Sequence, residues 1–157
     1  MIETKIIDNW LNKDLVEYLE RYFTYEFPHY YGHKSKQEDP TCFYNSTLNP
    51  HDALNKYLFY KIKKTLNKNL ECERMYINIQ HFGMDGQFHK DKNDMTVLYM
   101  VTKSLKNSGH FQIKNEGKID FVQNRLVCFD ADKDHRGLAP TKQGDVRITL
   151  AFKLNVL

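Results

Sequence analysis

Asp145-Val146-Arg147-Ile148-Thr149-Leu150-Ala151-Phe152-Lys153-Leu154 reads as one long strand with two unlike faces. Side chains alternate along an extended chain, so Val146, Ile148, Leu150, Phe152 and Leu154 share an apolar face. Arg147, Thr149, Ala151 and Lys153 share the other. If the apolar face packs on helices, Arg147 and Thr149 point into a sheet sandwich. If the strand is half-exposed, Arg147 and Lys153 stand in water. In the first placement the guanidinium needs an anion, because an uncompensated buried charge costs on the order of 3–5 kcal/mol. A carboxylate is its best bidentate match.

The strand pattern extends back to about residue 70. Short runs rich in Val, Ile, Phe and Tyr, broken by Gly, Asn and Asp, predict strands near 72–82, 87–91, 95–102, 109–114, 118–122, 125–129, 135–138 and 146–155. Upstream the period lengthens. A short strand is expected over Thr4–Ile7. A helix follows with Asn12 as N-cap, Asp14 in its first turn, and Leu15, Leu19 and Tyr22 or Phe23 as its buried stripe. A second helix is expected from Asn49 as cap, Pro50 at the first helical position and Asp52 near the positive end of the dipole. Leu54, Tyr57, Leu58, Ile62 and Leu66 make its apolar stripe, and Lys61, Lys63, Lys64 and Lys68 its solvated face. Between the helices, residues 25–48 show no clear period and interleave Pro28, Gly32 and Pro40 with Tyr25, Phe27, Tyr30, Tyr31, Phe43 and Tyr44. Such a segment is expected to act as a substrate lid or to cover a sheet edge. Two helices followed by about eight short strands describe a mainly β, jelly-roll-like sandwich with flanking α-helices.

The chain has 157 residues, 41% of them hydrophobic and 13% aromatic. That suits one domain, 1–157, in which 1–70 supports a core formed by 71–157. A net charge of +3, with both signs mixed throughout, is no footprint of obligate nucleic-acid binding. Cys42, Cys72 and Cys128 show neither CxxC nor zinc-finger spacing and are expected as free thiols. No signal peptide, no apolar run near the roughly 18 residues of a membrane span and no lipidation motif is seen, so a cytoplasmic protein is expected.

Chemistry concentrates in Gly86-Gln87-Phe88-His89-Lys90-Asp91. In an extended segment His89 and Asp91 point to the same side. His135, in Asp132-Lys133-Asp134-His135-Arg136-Gly137, offers a third ligand. Two histidines and a carboxylate on one face of a metal leave the opposite positions open, the arrangement used by non-haem Fe(II) oxygenases. His110, at the start of a strand, is the one rival ligand considered.

The order His89-x-Asp91, His135, Arg147-x-Thr149 resembles the Fe(II)/2-oxoglutarate-dependent dioxygenases, in particular the small prolyl-4-hydroxylase-like members. Tyr76-Ile77-Asn78-Ile79-Gln80-His81-Phe82-Gly83 resembles the strand and turn before the His-x-Asp motif of that superfamily. Thr96–Met100, Gly109–Ile113 and Asn124–Phe129 resemble the strands that follow, so the likeness covers about residues 72–155. The resemblance implies a double-stranded β-helix core with Fe(II) on His89, Asp91 and His135. It further implies 2-oxoglutarate on Arg147, a hydrogen bond to it from Thr149 or Tyr99, and contact from Asn78 or Tyr76 at its metal-proximal end. The implied reaction hydroxylates a C–H bond, using O2 and releasing succinate and CO2, with ascorbate as a reductant. The substrate implied is a protein or peptide side chain such as proline.

Two departures bear on the substrate. Many prolyl hydroxylases of this type carry Lys at the position of Arg147. Asn78-x-Gln80 and Arg147–Lys153 also resemble the alkylation-repair branch, which acts on nucleic acid and typically has Tyr for Gln80 and Arg for Lys153. That branch's nucleotide-recognition lid has no counterpart here. The other readings are a non-catalytic jelly-roll module that binds a metal or small anion, and a zinc hydrolase, which leaves Arg147 without a role. Oligomeric state is not legible.

Overall fold

The computed structural model describes residues 2–157. The 145–154 strand appears as β10, Arg147–Val156, at the centre of a seven-stranded antiparallel sheet. On one side it pairs with β4, Leu70–Gln80; on the other with β5, Met95–Met100. The sheet continues through β8, Leu126–Asp130, to β1, Lys5–Ile7, at one edge. At the other edge it ends in β3, Phe43–Thr47, and β2, Tyr30–His33. A second, three-stranded sheet contains β6, Phe111–Ile113, flanked by β7, Gly117–Ile119, and β9, His135–Gly137.

Each face of the large sheet has its own apolar core. Ile148, Leu150, Phe152 and Leu154 of β10 pack with Ile77, Ile79, Val97 and Tyr99 against Leu19 and Phe23 and against Leu58 and Ile62. Those last four belong to the helical layer: α1, Lys13–Arg21, continues into a π-helical turn, Tyr22–Glu26, and α2 spans Ala53–Leu66. On the opposite face Tyr76, Leu98, Met100, Val127, Phe129 and Ala151 meet Phe111 and Ile113 of the small sheet. Two facing sheets buttressed on one side by helices form the expected double-stranded β-helix. Arg147 and Lys153 are 2% and 6% exposed, so the half-exposed alternative for this strand is excluded.

The helices begin where side-chain chemistry permits. Asn12 caps α1 as expected, its Oδ1 accepting from the Leu15 amide at 3.0 Å. Asn124, buried and at positive φ, anchors the same region to the sheet. Its amide nitrogen donates to Leu11 O and its Oδ1 accepts from Leu11 N, both at 2.8 Å. For α2 the expected start moves. Asn49 Oδ1 accepts from the His51 amide within a turn, and the helix begins after Asp52. It ends on Asn67, which takes the left-handed conformation at φ 49°.

Two further expectations are corrected. Residues 25–48 are not wholly irregular, since β2 and β3 extend the large sheet by pairing onto β4. Residues 87–91 do not form a strand; His89 alone makes an antiparallel bridge with His135. Cys42, Cys72 and Cys128 are free. Among the described residues no helix is long and apolar enough to cross a membrane.

Candidate metal centre

The bridge between His89 and His135 builds the site. The His89 amide donates to His135 O at 3.1 Å, and the His135 amide returns the bond to His89 O at 2.9 Å. A directly opposed pair places its two side chains on the same side of the ladder. The imidazole centroids are accordingly 4.4 Å apart. Two residues on, the Asp91 amide donates to Ala131 O at 2.9 Å, which returns the segment to the barrel mouth and brings its carboxylate round. Asp91 Oδ2 is 3.3 Å from His135 Nε2, and Oδ1 is 4.0 Å from His89 Nε2. One ligand atom from each of the three residues lies within 4.8 Å of the others. Among the described residues this is the one such group of three.

Both imidazoles are oriented by the same local device. His89 Nδ1 lies 2.9 Å from Gln87 O, and His135 Nδ1 lies 2.8 Å from Lys133 O, each two residues back. A carbonyl only accepts, so Nδ1 carries the proton and Nε2 presents its lone pair toward Asp91. Outer hydrogen bonds of this kind fix the tautomer that a metal needs. Burial, reinforced by the neighbouring His135, lowers the His89 pKa and keeps its ring neutral. Phe111 and Phe129 flank the His135 ring.

Asp91 is held as a carboxylate. Burial alone raises its pKa, but the adjacent His135 and the Lys153 charge outweigh burial and hold it well below the usual range. Oδ2 accepts from Thr96 Oγ1 at 2.6 Å and from Lys153 Nζ. Thr96 and Lys153 face each other across the β5–β10 ladder, so this support follows from the register.

Arg147 lies deeper. Its Nε donates to Gly109 O at 2.8 Å and its Nη1 to Gln80 Oε1 at 2.6 Å. Gln80 is its opposite number on β4 and is itself fixed by donating to Met84 O and Gly137 O. The guanidinium carbon lies 5.2 Å from the centroid of the Phe121 ring. A Cβ at Gly137 would stand 3.0 Å from both Arg147 Nη1 and Gln80 Oε1, so the guanidinium occupies the space that glycine leaves open. Among the described residues no carboxylate pairs with Arg147. Burial alone pushes its pKa down to about 10, so it stays charged at neutral pH.

The inner chamber is lined by His89, His135, Arg147, Thr149, Asn78, Tyr76 and Lys153 among others. It adjoins an outer cleft of about 310 Å³ to which Asp91, His89, Tyr76, Asn78 and Lys153 also contribute. Seven of the eight residues singled out in the sequence therefore converge: His89, Asp91, His135, Arg147, Thr149, Asn78 and Tyr76. Tyr99 is the exception and is corrected. It pairs with Leu150, faces the helices, packs on Trp10, and has its hydroxyl 3.4 Å from Asn124 Oδ1. His110 stands apart from the ligand set, 3.2 Å from Asp120. Gln80 and Lys153, not singled out as site residues, belong to the site. Their signal was register: Lys153 shares a strand face with Arg147, and Gln80 lies opposite it. A larger cleft of about 500 Å³ lies at α1 beside Thr102–Leu105 and Gly144–Val146, away from the ligand set.

The donor set fits the groups implied by the sequence. Three ligands of types suited to iron converge, and a buried cation without a protein counter-ion waits beside them. No protein-family model and no curated protein matches the chain. Solved structures do. One is a viral collagen prolyl hydroxylase from Paramecium bursaria Chlorella virus-1 in complex with 2OG, at TM-score 0.72 and 15% identity over 98% of this chain and 96% of that one. Another is a Trichoplax adhaerens prolyl hydroxylase in complex with a hypoxia inducible factor oxygen degradation domain peptide fragment. It aligns at TM-score 0.76 and 15% identity over 98% of this chain and 83% of that one. HygX from Streptomyces hygroscopicus, with nickel and 2-oxoglutarate bound, gives TM-score 0.73 at 8% identity over 98% and 82%. At these identities the likeness is one of fold.

Proposed function

We propose that this chain is an Fe(II)- and 2-oxoglutarate-dependent dioxygenase that hydroxylates a C–H bond on a protein or peptide side chain, proline being the leading candidate. The observation that carries the reading is the pairing of two features in one chamber: the convergent Nε2, Nε2 and carboxylate of His89, His135 and Asp91, and the fully buried, carboxylate-free Arg147. Neither feature is accounted for without the other. A structural ion site has no use for a buried guanidinium, and an anion pocket has no use for two imidazoles fixed with their lone pairs converging.

His89, Asp91 and His135 hold the iron. Bound there, iron and 2-oxoglutarate supply the oxidising chemistry, with succinate and CO2 as co-products. Arg147 binds the distal carboxylate of the cosubstrate, and Gln80, Gly109 and Gly137 keep the guanidinium aimed. Thr149, on the same face of β10, donates its hydroxyl to the same carboxylate, while Asn78 and Tyr76 line the metal-proximal end. Phe111 and Leu98 form an apolar wall of the inner chamber. The overlap of this chain with the peptide-bound prolyl hydroxylase fold supports a peptide substrate.

Anaerobic titration separates the assigned roles. Arg147→Ala is expected to weaken 2-oxoglutarate binding by at least about tenfold, or about 1.4 kcal/mol, with Fe(II) affinity nearly unchanged. Equal loss of both ligands contradicts the assignment. Stoichiometric iron with no 2-oxoglutarate binding in the unmodified protein favours the non-catalytic binding module instead.

A further inference from the structure

Outside the metal ligands, the mouth of the site carries a charge pattern that the proposed chemistry does not use. Lys34, Arg74, Lys90 and Lys92 line the outer cleft and are exposed. They come from four places: just after β2, from β4, and from either side of Asp91. Among the residues that line the cleft the exposed carboxylate is Glu73, which accepts a hydrogen bond from Asn93, and Asp132, Asp134 and Asp130 act on Lys90 from beside it. Lys90 is paired with Asp132 at 3.0 Å. Lys34, Arg74 and Lys92 have no carboxylate partner among the described residues. A cleft lined by one sign of charge draws in the opposite sign.

The aromatic rings at the mouth limit what kind of polyanion fits. Recognition of an extruded base requires a free ring to stack on. Of the rings that line the cleft, Tyr76 carries Arg74 at 4.5 Å and Lys153 at 5.6 Å, and Phe43 meets His33 edge-on at 5.1 Å. Beside them lies a different recognition element. β2 is the last strand of the large sheet, so its outer edge has no partner strand, and it ends at His33 where the cleft begins. Tyr30 and Tyr31 on it are 67% and 64% exposed. A free edge of this kind adds an extended peptide by main-chain hydrogen bonds.

We propose that the cleft takes an acidic polypeptide segment, laid along the outer edge of β2 with its carboxylates on Lys34, Arg74 and Lys92. The segment's target side chain is thereby directed toward His89, Asp91 and His135. The peptide's oxidation rests on the dioxygenase reading, but its binding does not.

The test is fluorescence anisotropy with the full chain loaded with Mn(II) and 2-oxoglutarate. The probes are a short Glu-rich peptide with one central proline, its Lys-rich counterpart, and a single-stranded oligonucleotide of equal length. The acidic peptide is expected to bind at least about tenfold more tightly than the basic one, and more weakly as salt rises from about 50 to about 300 mM. The triple variant K34E/R74E/K92E is expected to lose at least about tenfold in affinity for it. The control K63E/K64E/K68E, with the same charge change on and after α2, is expected to keep it. Equal binding of acidic and basic peptides, or equal behaviour of the two triple variants, overturns the proposal. So does tighter, base-dependent binding of the oligonucleotide, which assigns the cleft to nucleic acid. Thermal melts and Fe(II) and 2-oxoglutarate titrations of the same variants, expected unchanged, distinguish failure at the mouth from a folding defect or failure of the dioxygenase reading.

Discussion

Arg147 shows how far a single residue can be read from sequence and where that reading stops. Its strand face followed from alternation, and its need for an anion only on the condition that this face was buried. Its cradle did not, because Gln80, Gly109 and Gly137 reach it from β4, the approach to β6 and β9. The cradle makes a prediction that the ligand list does not. Gly137→Ala places a methyl 3.0 Å from Arg147 Nη1, and should lower 2-oxoglutarate affinity while leaving Fe(II) binding intact. Overpacking of this kind costs about 1–3 kcal/mol, so a thermal melt of the variant should be recorded beside the titration. Unchanged cosubstrate affinity would show that Arg147 is not held in the way described. Tyr99 is the opposite case. Met95, Thr96, Val97, Leu98, Tyr99 and Met100 are all buried, so alternation could not say which of them face the chamber. Register decides it: Tyr99 lies opposite Leu150 on the helix-facing side. Tyr99→Phe is therefore expected to leave 2-oxoglutarate affinity within about twofold of the unmodified protein, a difference under about 0.5 kcal/mol.

At the scale of elements, sequence patterns worked where a segment was amphipathic and failed where partners were distant. The α1 cap at Asn12 and the long strands β4, β5 and β10 were legible from local chemistry and period. β2 and β3 were not, because their pairing onto β4 is a tertiary event and their sequence carries Pro and Gly between aromatics. The misplaced start of α2 has a local cause. Asn49 spends its side chain on the His51 amide in a turn rather than on the first helical amides. The three-residue edge strand β1 is tied to β8 by a two-bond contact: Arg125 Nε donates to Asp8 Oδ1 at 2.6 Å and Nη2 to Oδ2 at 2.9 Å. The hydrogen bond from Arg125 lowers the Asp8 pKa below its ordinary value of 3.8. The stability it adds is therefore fully present above 3.8 and is lost as pH falls through the depressed folded value. Asp8 is half-exposed, so Asp8→Asn should destabilise by only about 0.5–1 kcal/mol at neutral pH. In denaturant melts the two proteins should converge once pH falls below that depressed value. A gap that persists there would assign the effect to packing.

Across the whole molecule, β10 divides the labour. Its apolar side anchors the large sheet on α1 and α2, and its polar side supplies Arg147, Thr149 and Lys153 to the chamber. The small sheet completes the site by pairing His89 with His135. Sequence order placed these groups in the right succession, but only the bridge onto β9, on the small sheet that closes over the large one, brings residues 89 and 135 together. The central claim is that this closure makes an oxygenase. Its most direct test is succinate formation after O2 is admitted to anaerobic protein loaded with Fe(II) and 2-oxoglutarate. Even without a prime substrate, the unmodified protein should release succinate slowly, and His89→Ala should release none above free iron in buffer. Equal succinate from the two proteins, or none from either despite bound iron and 2-oxoglutarate, would contradict it.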